Sequence, residues 1–156
     1  MQVWKDGKVY IGQWRNDKIQ GHGKYLHPNG DKYEGDLVDG KAEGHGKYEY
    51  VDGMTYEGQW RNDNKEGKGT ESMPDDFEYI GRFKNGKRNG FGKCTYDDES
   101  VYEGMWVNNM MQGNGKYEFS SGRVYEGHFR KNKIDGKGLM VYNDGEEYEG
   151  DFKNDK

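Results

Sequence analysis

Proline occurs twice and cysteine once in 156 residues, and only 30% of the residues are hydrophobic. An ordinary globular domain carries close to one half apolar residues, so a single thick core is not expected. One cysteine, Cys94, excludes an internal disulfide and fits a reducing compartment. No apolar run is long enough for a membrane-spanning helix, and the N-terminus lacks a signal-peptide pattern. Positive charge is not in excess: 24 Lys and Arg stand against 29 Asp and Glu, a formal net charge of −5. This disfavours a general binder of nucleic acid or of anionic membranes, both of which need a cationic surface. The expectation is a soluble intracellular protein.

What is present is glycine and aromatic side chains. There are 26 glycines, and Phe, Trp and Tyr make up 15% of the chain, too aromatic for a disordered segment. A Tyr-x-Gly-x-aromatic phrase begins at Tyr10, Tyr33, Tyr56, Tyr79, Tyr102, Tyr125 and Tyr148, with every interval 23 residues. With the tyrosine as position 0, +2 is always glycine, and +4 is Trp14, Leu37, Trp60, Phe83, Trp106, Phe129 and Phe152. Positions +11 and +13 are glycine in all six copies that reach them. Position +20 is glycine at Gly7, Gly30, Gly53, Gly122 and Gly145, and Gly40 and Gly86 at +7 complete the set. Fixed-period self-similarity of this length signals a repeat architecture.

Residues alternate aromatic, polar, glycine, polar, aromatic over 0 to +5, and a second alternating run covers +11 to +17. Period two denotes strands, so each repeat supplies two. Pro28-Asn29-Gly30 suits a three-residue hairpin loop, a type I turn followed by a left-handed glycine. That loop places +17 opposite +21, +15 opposite the next tyrosine, +13 opposite the next +2, and +11 opposite the next +4. It also places +14 opposite the next +1, where the chain offers Lys24–Glu34, Lys47–Glu57, Lys93–Glu103 and Lys116–Glu126. Opposite charges directly across a strand pair contribute about 0.2–1 kcal/mol. Where +1 is isoleucine, +14 is not lysine (Met1–Ile11, Thr70–Ile80), and Leu139–Glu149 is the exception. The expected fold is all-β: a single-layer, twisted antiparallel β-hairpin meander, with residues 1–156 as one array of seven hairpins.

The phrase and its glycines resemble the MORN repeat (membrane occupation and recognition nexus), whose consensus is close to Y-E-G-x-W-x-x-G-K-x-x-G-x-G. The resemblance runs through nearly the whole chain. It implies the same hairpin fold and points to docking of partner peptides, helices or filament components.

The aromatic face is the leading candidate site: Tyr10, Trp14, Tyr33, Tyr56, Trp60, Tyr79, Phe83, Tyr102, Trp106, Tyr125 and Phe129. Its structural role is to cover strand glycines. A one-layer ribbon would also leave part of it open as a trough, and exposed aromatic surface marks binding sites. Lys18, Lys41, Lys87 and Lys133 recur at +8 and form the candidate lipid-contact stripe. His22 and His45 share the +12 slot two strands apart, roughly 10 Å, too far to share a zinc ion. No metal, cofactor or catalytic constellation is expected. The Gly-x-Gly at +11 lacks the following helix of a phosphate loop. Cys94 stands at +15 and should pack against Tyr102 as a small hydrophobe. Two irregularities stand out: Glu71 occupies an aromatic slot, and Asp76 and Glu99 occupy the glycine slot at +20. An altered turn or bend is expected between Gly69 and Tyr102.

These features imply a non-enzymatic scaffold that binds a helix or extended segment of a protein partner, with no nucleic acid bound. The resemblance adds a cytoskeletal or ciliary assembly. The alternatives are a membrane or phosphoinositide-contact module, disfavoured by the net acidity, and a regulatory segment of a larger enzyme. The array ends are expected to be covered by partners or by further repeats. The register carries its own test by thermal melts. Lys47→Glu alone should lower the hairpin's stability slightly, and exchanging Lys47 with Glu57 should be nearly neutral.

Overall fold

The computed structural model describes residues 1–156. It contains strands and turns but no helix, and its fourteen strands follow one another in chain order. The chain forms two compact units. One comprises Met1–Pro74 with Lys84–Gly86, the other Asp75–Phe83 with Lys87–Lys156. The first contains β1 (Gln2–Val3), β2 (Val9–Arg15), β3 (Lys18–Leu26), β4 (Lys32–Val38), β5 (Lys41–Glu49), β6 (Thr55–Arg61) and β7 (Asn64–Met73). After β8 (Phe77–Lys84), the second unit runs through β9 (Lys87–Tyr96), β10 (Val101–Val107), β11 (Met110–Glu118), β12 (Val124–Arg130), β13 (Lys133–Val141) and β14 (Glu147–Phe152). Within each unit, successive strands pair antiparallel in a single layer.

The expected register between repeats is observed. Along β3 and β4, Gly21 faces Leu37, Gly23 faces Gly35, Lys24 faces Glu34 and Tyr25 faces Tyr33. The same offsets recur from β5 to β6, β9 to β10, β11 to β12 and β13 to β14. The loop at Pro28-Asn29-Gly30 also matches: Gly30 is left-handed (φ 101°) and donates its N–H to the His27 carbonyl at 3.0 Å.

The hairpin inside each repeat is a different device. Its two-residue turns at +6 and +7 place both residues at positive φ, as at Asn16-Asp17 (50°, 62°), Asp39-Gly40 (50°, 78°) and Asn108-Asn109 (47°, 70°). This is the type I′ turn, whose twist matches that of the strands it joins. Between +2 and +4 the ladder jumps: Gly12 faces Gly23, but Trp14 faces Ile19. Gln13 is left opposite three residues, and its Oε1 accepts the His22 N–H at 2.8 Å. This bulge explains the +11 glycine, since Gly21 has φ +90°. A left-handed bulge residue strongly favours glycine.

The +13 glycine answers to close approach. The Tyr33 hydroxyl donates to the Asp36 carbonyl at 2.7 Å, which lays the ring flat across its own hairpin. A methyl group at Gly46 would sit 2.6 Å from two Tyr33 ring carbons.

The irregular positions divide. At Glu99 the turn keeps its ordinary form: Glu99 itself adopts φ 69° and donates to the Tyr96 carbonyl at 2.9 Å. The bend expected there is absent, because the Asp98 carboxylate, which accepts the Ser100 N–H at 2.9 Å, supports the loop. At Asp76 the turn is altered, with the left-handed residue shifted to Asp75 (φ 58°). The chain leaves the first unit at this turn.

The turns also join repeats together. Each +7 N–H donates to the +9 carbonyl of the preceding repeat, as in Gly40 to Ile19, Asp63 to Ala42, Gly86 to Lys65 and Asn132 to Met111. Where +7 carries Asp or Asn, its side chain accepts the +9 N–H in return: Ala42 to Asp63 at 2.7 Å, Arg88 to Asn109 at 2.9 Å, Ile134 to Asp155 at 2.8 Å. The +10 side chains Gln20, Glu43, Glu66 and Gln112 accept the N–H of the next +6 residue.

The charge pairs need one revision. Lys24 reaches Glu34 across the strands at 3.8 Å, but Lys47 lies 3.0 Å from Glu49 and Lys116 lies 3.2 Å from Glu118, each on its own strand. Exchanging Lys47 with Glu57 therefore restores only part of what Lys47→Glu removes, because the new carboxylate still meets Glu49. Thermal melts of the single and double variants measure this. Gly46→Ala is expected to cost about 3 kcal/mol or more in urea unfolding, since Tyr33 must leave its seat. Gly86→Asn is expected to gain about 0.5–1 kcal/mol, because the left-handed site (φ +80°) is open and the new side chain can accept the Lys65 N–H.

Candidate partner-binding face

Tyrosines at 0 and rings at +4 build one packed row on one face of each unit. In the first unit, Trp60 is held edge-to-face between Tyr33 (5.4 Å, 88°) and Tyr56 (5.1 Å, 89°). In the second, Trp106 lies between Tyr79 and Tyr102, Phe129 between Tyr102 and Tyr125, and Phe152 between Tyr125 and Tyr148. Such pairs contribute about 0.5–1.5 kcal/mol beyond the area they bury. The Trp60 and Trp106 indoles donate to the Gly46 and Gly92 carbonyls at 2.9 and 3.1 Å.

Of the eleven aromatics expected to line a trough, ten are buried: Tyr10, Tyr33, Tyr56, Trp60, Tyr79, Phe83, Tyr102, Trp106, Tyr125 and Phe129. Trp14, held by Tyr10 at 5.5 Å, stays 43% exposed. The row is the packed layer of the sheet. Burial raises the hydroxyl pKa values of Tyr33, Tyr56 and Tyr102, so these groups stay protonated donors.

The accessible part of this face comes from the +17 residues and from Tyr48 and Tyr117 at +15, while Tyr25 and Met140 at +15 are buried; together they line two grooves at equivalent places in the repeat. The groove of the first unit holds about 230 Å³ and is lined by Tyr25, His27 and Tyr48 together with Lys8 and Asp63. That of the second holds about 360 Å³ and is lined by Tyr117, Phe119 and Met140 together with Met111, Ile134 and Arg123. Cations lie over these rings: Lys8 Nζ is 4.1 Å from the Tyr25 centroid, and the Arg123 guanidinium 4.1 Å from that of Phe119. The +15 and +17 aromatics share the period of the tyrosines and could have been found by it. Lys8 and Arg123, both at +21, could not, because that slot otherwise holds unrelated residues.

Beside the first groove, Asp31 accepts the Tyr48 hydroxyl at 2.8 Å and the Val51 N–H at 2.9 Å. The Val51 N–H and then the Tyr48 hydroxyl hold its carboxyl below the ordinary range. Glu71 is compensated by a residue not paired with it in the sequence: Lys65, at +9, reaches its carboxylate at 2.8 Å, with both side chains buried. Lys65 also lies over the Tyr56 ring at 5.1 Å. Cys94 is fully buried opposite Tyr102, as the register requires.

Among the +8 lysines, Lys18 lies 3.8 Å from Asp39, while Lys133 joins Arg130, Lys131 and Lys153 around a cleft of about 350 Å³. Lys41 and Lys87 are exposed. His22 lies 3.8 Å from Glu34 and 3.7 Å from Asp36, and His45 lies 3.6 Å from Glu57, all exposed. No group of three or more His, Cys, Asp or Glu is placed to hold a metal ion.

Repeat after repeat, tyrosine, glycine and +4 ring occupy the positions that define one family, and the MORN-repeat profile matches residues 10–32, 33–55, 56–76, 79–101, 102–122, 125–147 and 148–156. The chain belongs to the MORN-repeat family. No curated protein sequence matches this MORN-repeat chain. Among solved structures, it is similar to the SAS-4 (dCPAP) TCP domain of Drosophila melanogaster, solved in complex with a proline-rich motif of Ana2 (dSTIL). That similarity has a TM-score of 0.55 at 15% identity and covers 97% of this chain and 82% of that one. The TCP10 domain of Danio rerio CPAP, solved with a STIL peptide, aligns over 91% of this chain and 74% of its own at 17% identity, with a TM-score of 0.31. At these identities the likeness concerns fold alone.

Asp31 yields a pH test. A depressed carboxyl pKa stabilises the fold fully above about pH 4, and the contribution is lost as the pH falls through the folded value. Asp31→Asn should therefore lower stability at neutral pH and flatten the acid limb of a stability–pH curve. An unchanged acid limb would show that Asp31 is not linked to folding.

Proposed function

We propose that this MORN-repeat chain is a non-enzymatic scaffold that seats a helix or extended segment of a protein partner on its aromatic face, within a cytoskeletal or ciliary assembly. The observation that carries this reading is the pair of aromatic grooves. A layer of buried rings supports each one; His27 and Tyr48 in the first and Tyr117 and Phe119 in the second are half-buried and open to a ligand, with a cation overlying a ring beside them. Grooves of this kind accept amphipathic helices and proline-rich segments. That the Drosophila SAS-4 TCP domain was solved with a proline-rich motif supports the same use of a similar sheet.

In this reading the eleven trough aromatics act chiefly through the layer they form, with Trp14 as the exposed member. Trp60 and Trp106 are therefore poor test positions, because each fills a buried slot and donates to a backbone carbonyl. Tyr117→Ser with Phe119→Ser removes groove walls and spares the tyrosine row. After affinity purification with cross-linking from the native cell, the recovered partner should bind this variant at least tenfold more weakly at a temperature well below the variant's own melting point, where it is fully folded. Unaltered affinity would remove the groove as the interface. Binding to anionic vesicles that is lost when Lys18, Lys41, Lys87 and Lys133 are reversed would favour the membrane reading instead.

A further inference from the structure

The face opposite the aromatic row is polar by pattern; Ile11, Val38 and Ile80 interrupt it singly, and one place carries several apolar residues together. Position +12 faces +3 of the next repeat on that side. The pairs are His22 with Asp36, His45 with Gln59, Asn114 with His128 and Lys137 with Asp151. From β9 to β10 the pair is instead Phe91 with Met105, 54% and 41% exposed. The next pair toward the turn repeats the exception: Val107, 42% exposed, faces Met110, where repeats 1 and 6 have Arg15 with Lys18 and Arg130 with Lys133. Four apolar side chains thus cluster on this face, three of them exposed and Met110 half-buried. A cross-strand pair at such a site adds at most a minor stabilisation, so packing does not account for them.

The cluster adjoins positive charge. The turn at Arg130–Lys133 is joined directly to Met111 and Gln112: Asn132 donates to the Met111 carbonyl at 3.0 Å and Lys131 to Gln112 Oε1 at 2.9 Å. Arg130, Lys131, Lys133 and Lys153 surround the adjoining cleft of about 350 Å³. Its one carboxylate, Asp135, accepts the Asn154 N–H at 3.5 Å. An apolar patch rimmed by polar residues marks an interaction site. The basic cleft selects the sign of its occupant, and two copies meeting through this face would set like charges together.

We propose that Phe91, Met105, Val107 and Met110, with the basic cleft beside them, form a second docking surface for an acidic protein segment bearing large apolar residues. The apolar side chains rest on Phe91 and Met105, and the carboxylates enter the cleft between Arg130, Lys133 and Lys153. This surface is independent of the aromatic face, so the chain can bridge two partners.

The test uses the full chain and three fluorescein-labelled ten-residue peptides: leucines among glutamates, leucines among lysines, and serines among glutamates. Anisotropy should show the glutamate–leucine peptide binding at least tenfold more tightly than either control. Phe91→Thr with Met105→Thr, and separately Arg130→Glu with Lys133→Glu, should each weaken it at least tenfold, with the melting temperature within a few degrees of the parent. Tyr117→Ser with Phe119→Ser should leave it unchanged, which separates this surface from the groove. Equal binding of the three peptides, or insensitivity to both pairs of substitutions, would overturn the proposal. So would a dimer by light scattering that Phe91→Thr with Met105→Thr dissolves, since the occupant would then be a second copy. Sedimentation with phosphatidylserine vesicles that is lost in both variants, without peptide binding, would assign the surface to lipid and overturn it as well.

Discussion

The fold rests on a tyrosine ring lying flat on two facing glycines. Tyr33 crosses its hairpin, donates to the Asp36 carbonyl and covers Gly35 and Gly46, neither of which has room for a methyl group. That seat stands the ring where the +4 aromatic of the next repeat can meet it edge-on, and so Trp60 is held by Tyr33 and Tyr56 together. A sheet with one layer has no second sheet to pack on. It obtains its apolar layer from side chains of its own strands, and this is how 30% hydrophobic residues suffice.

The turns provide a second, polar connection between repeats. Ring packing joins neighbours at the middle of the strands, and the backbone bonds from +7 to the preceding +9 join them at the turn edge. The two devices constrain different residue types. Glycine at +13 admits no substitute, because a ring occupies the space above it. Position +7 accepts Asp, Asn or Gly, because the backbone bond is made in every case and only the return bond needs a side chain. Since the layer and the stitch fix the residue types of the aromatic face and one edge, the slots free to vary lie elsewhere. They include +15, +17 and +21 around the grooves, and +3, +5, +8 and +12 on the polar face.

Much of this was legible in the sequence because the 23-residue period is unbroken. The lysine and glutamate at +14 and +1 carried the register between repeats, and Cys94 met Tyr102 as that register required. The turn inside each repeat was legible in Asp39-Gly40 and Asn85-Gly86, but the variable pairs Asn16-Asp17 and Lys131-Asn132 masked it. Other features join residues that no local rule links. Asp63 caps Ala42 twenty-one residues away, Lys65 neutralises Glu71 six residues further along β7, and Lys47 turns to Glu49 rather than across to Glu57.

The sequence by itself determined that this MORN-repeat chain forms antiparallel hairpins, how each hairpin registers on the next, and which side carries the rings. Spacing alone sets those properties, because alternation and turn chemistry act over a few residues. The tertiary structure decided how much of each ring remains reachable. Trp60 and Trp106 carry the same phrase as Trp14, yet they are buried between two tyrosines while Trp14 meets one. Exposure depends on neighbours contributed by the adjacent repeat, and the phrase does not encode them. For the same reason, His27, Tyr48, Tyr117 and Phe119 remain half-buried beside rings that are wholly covered.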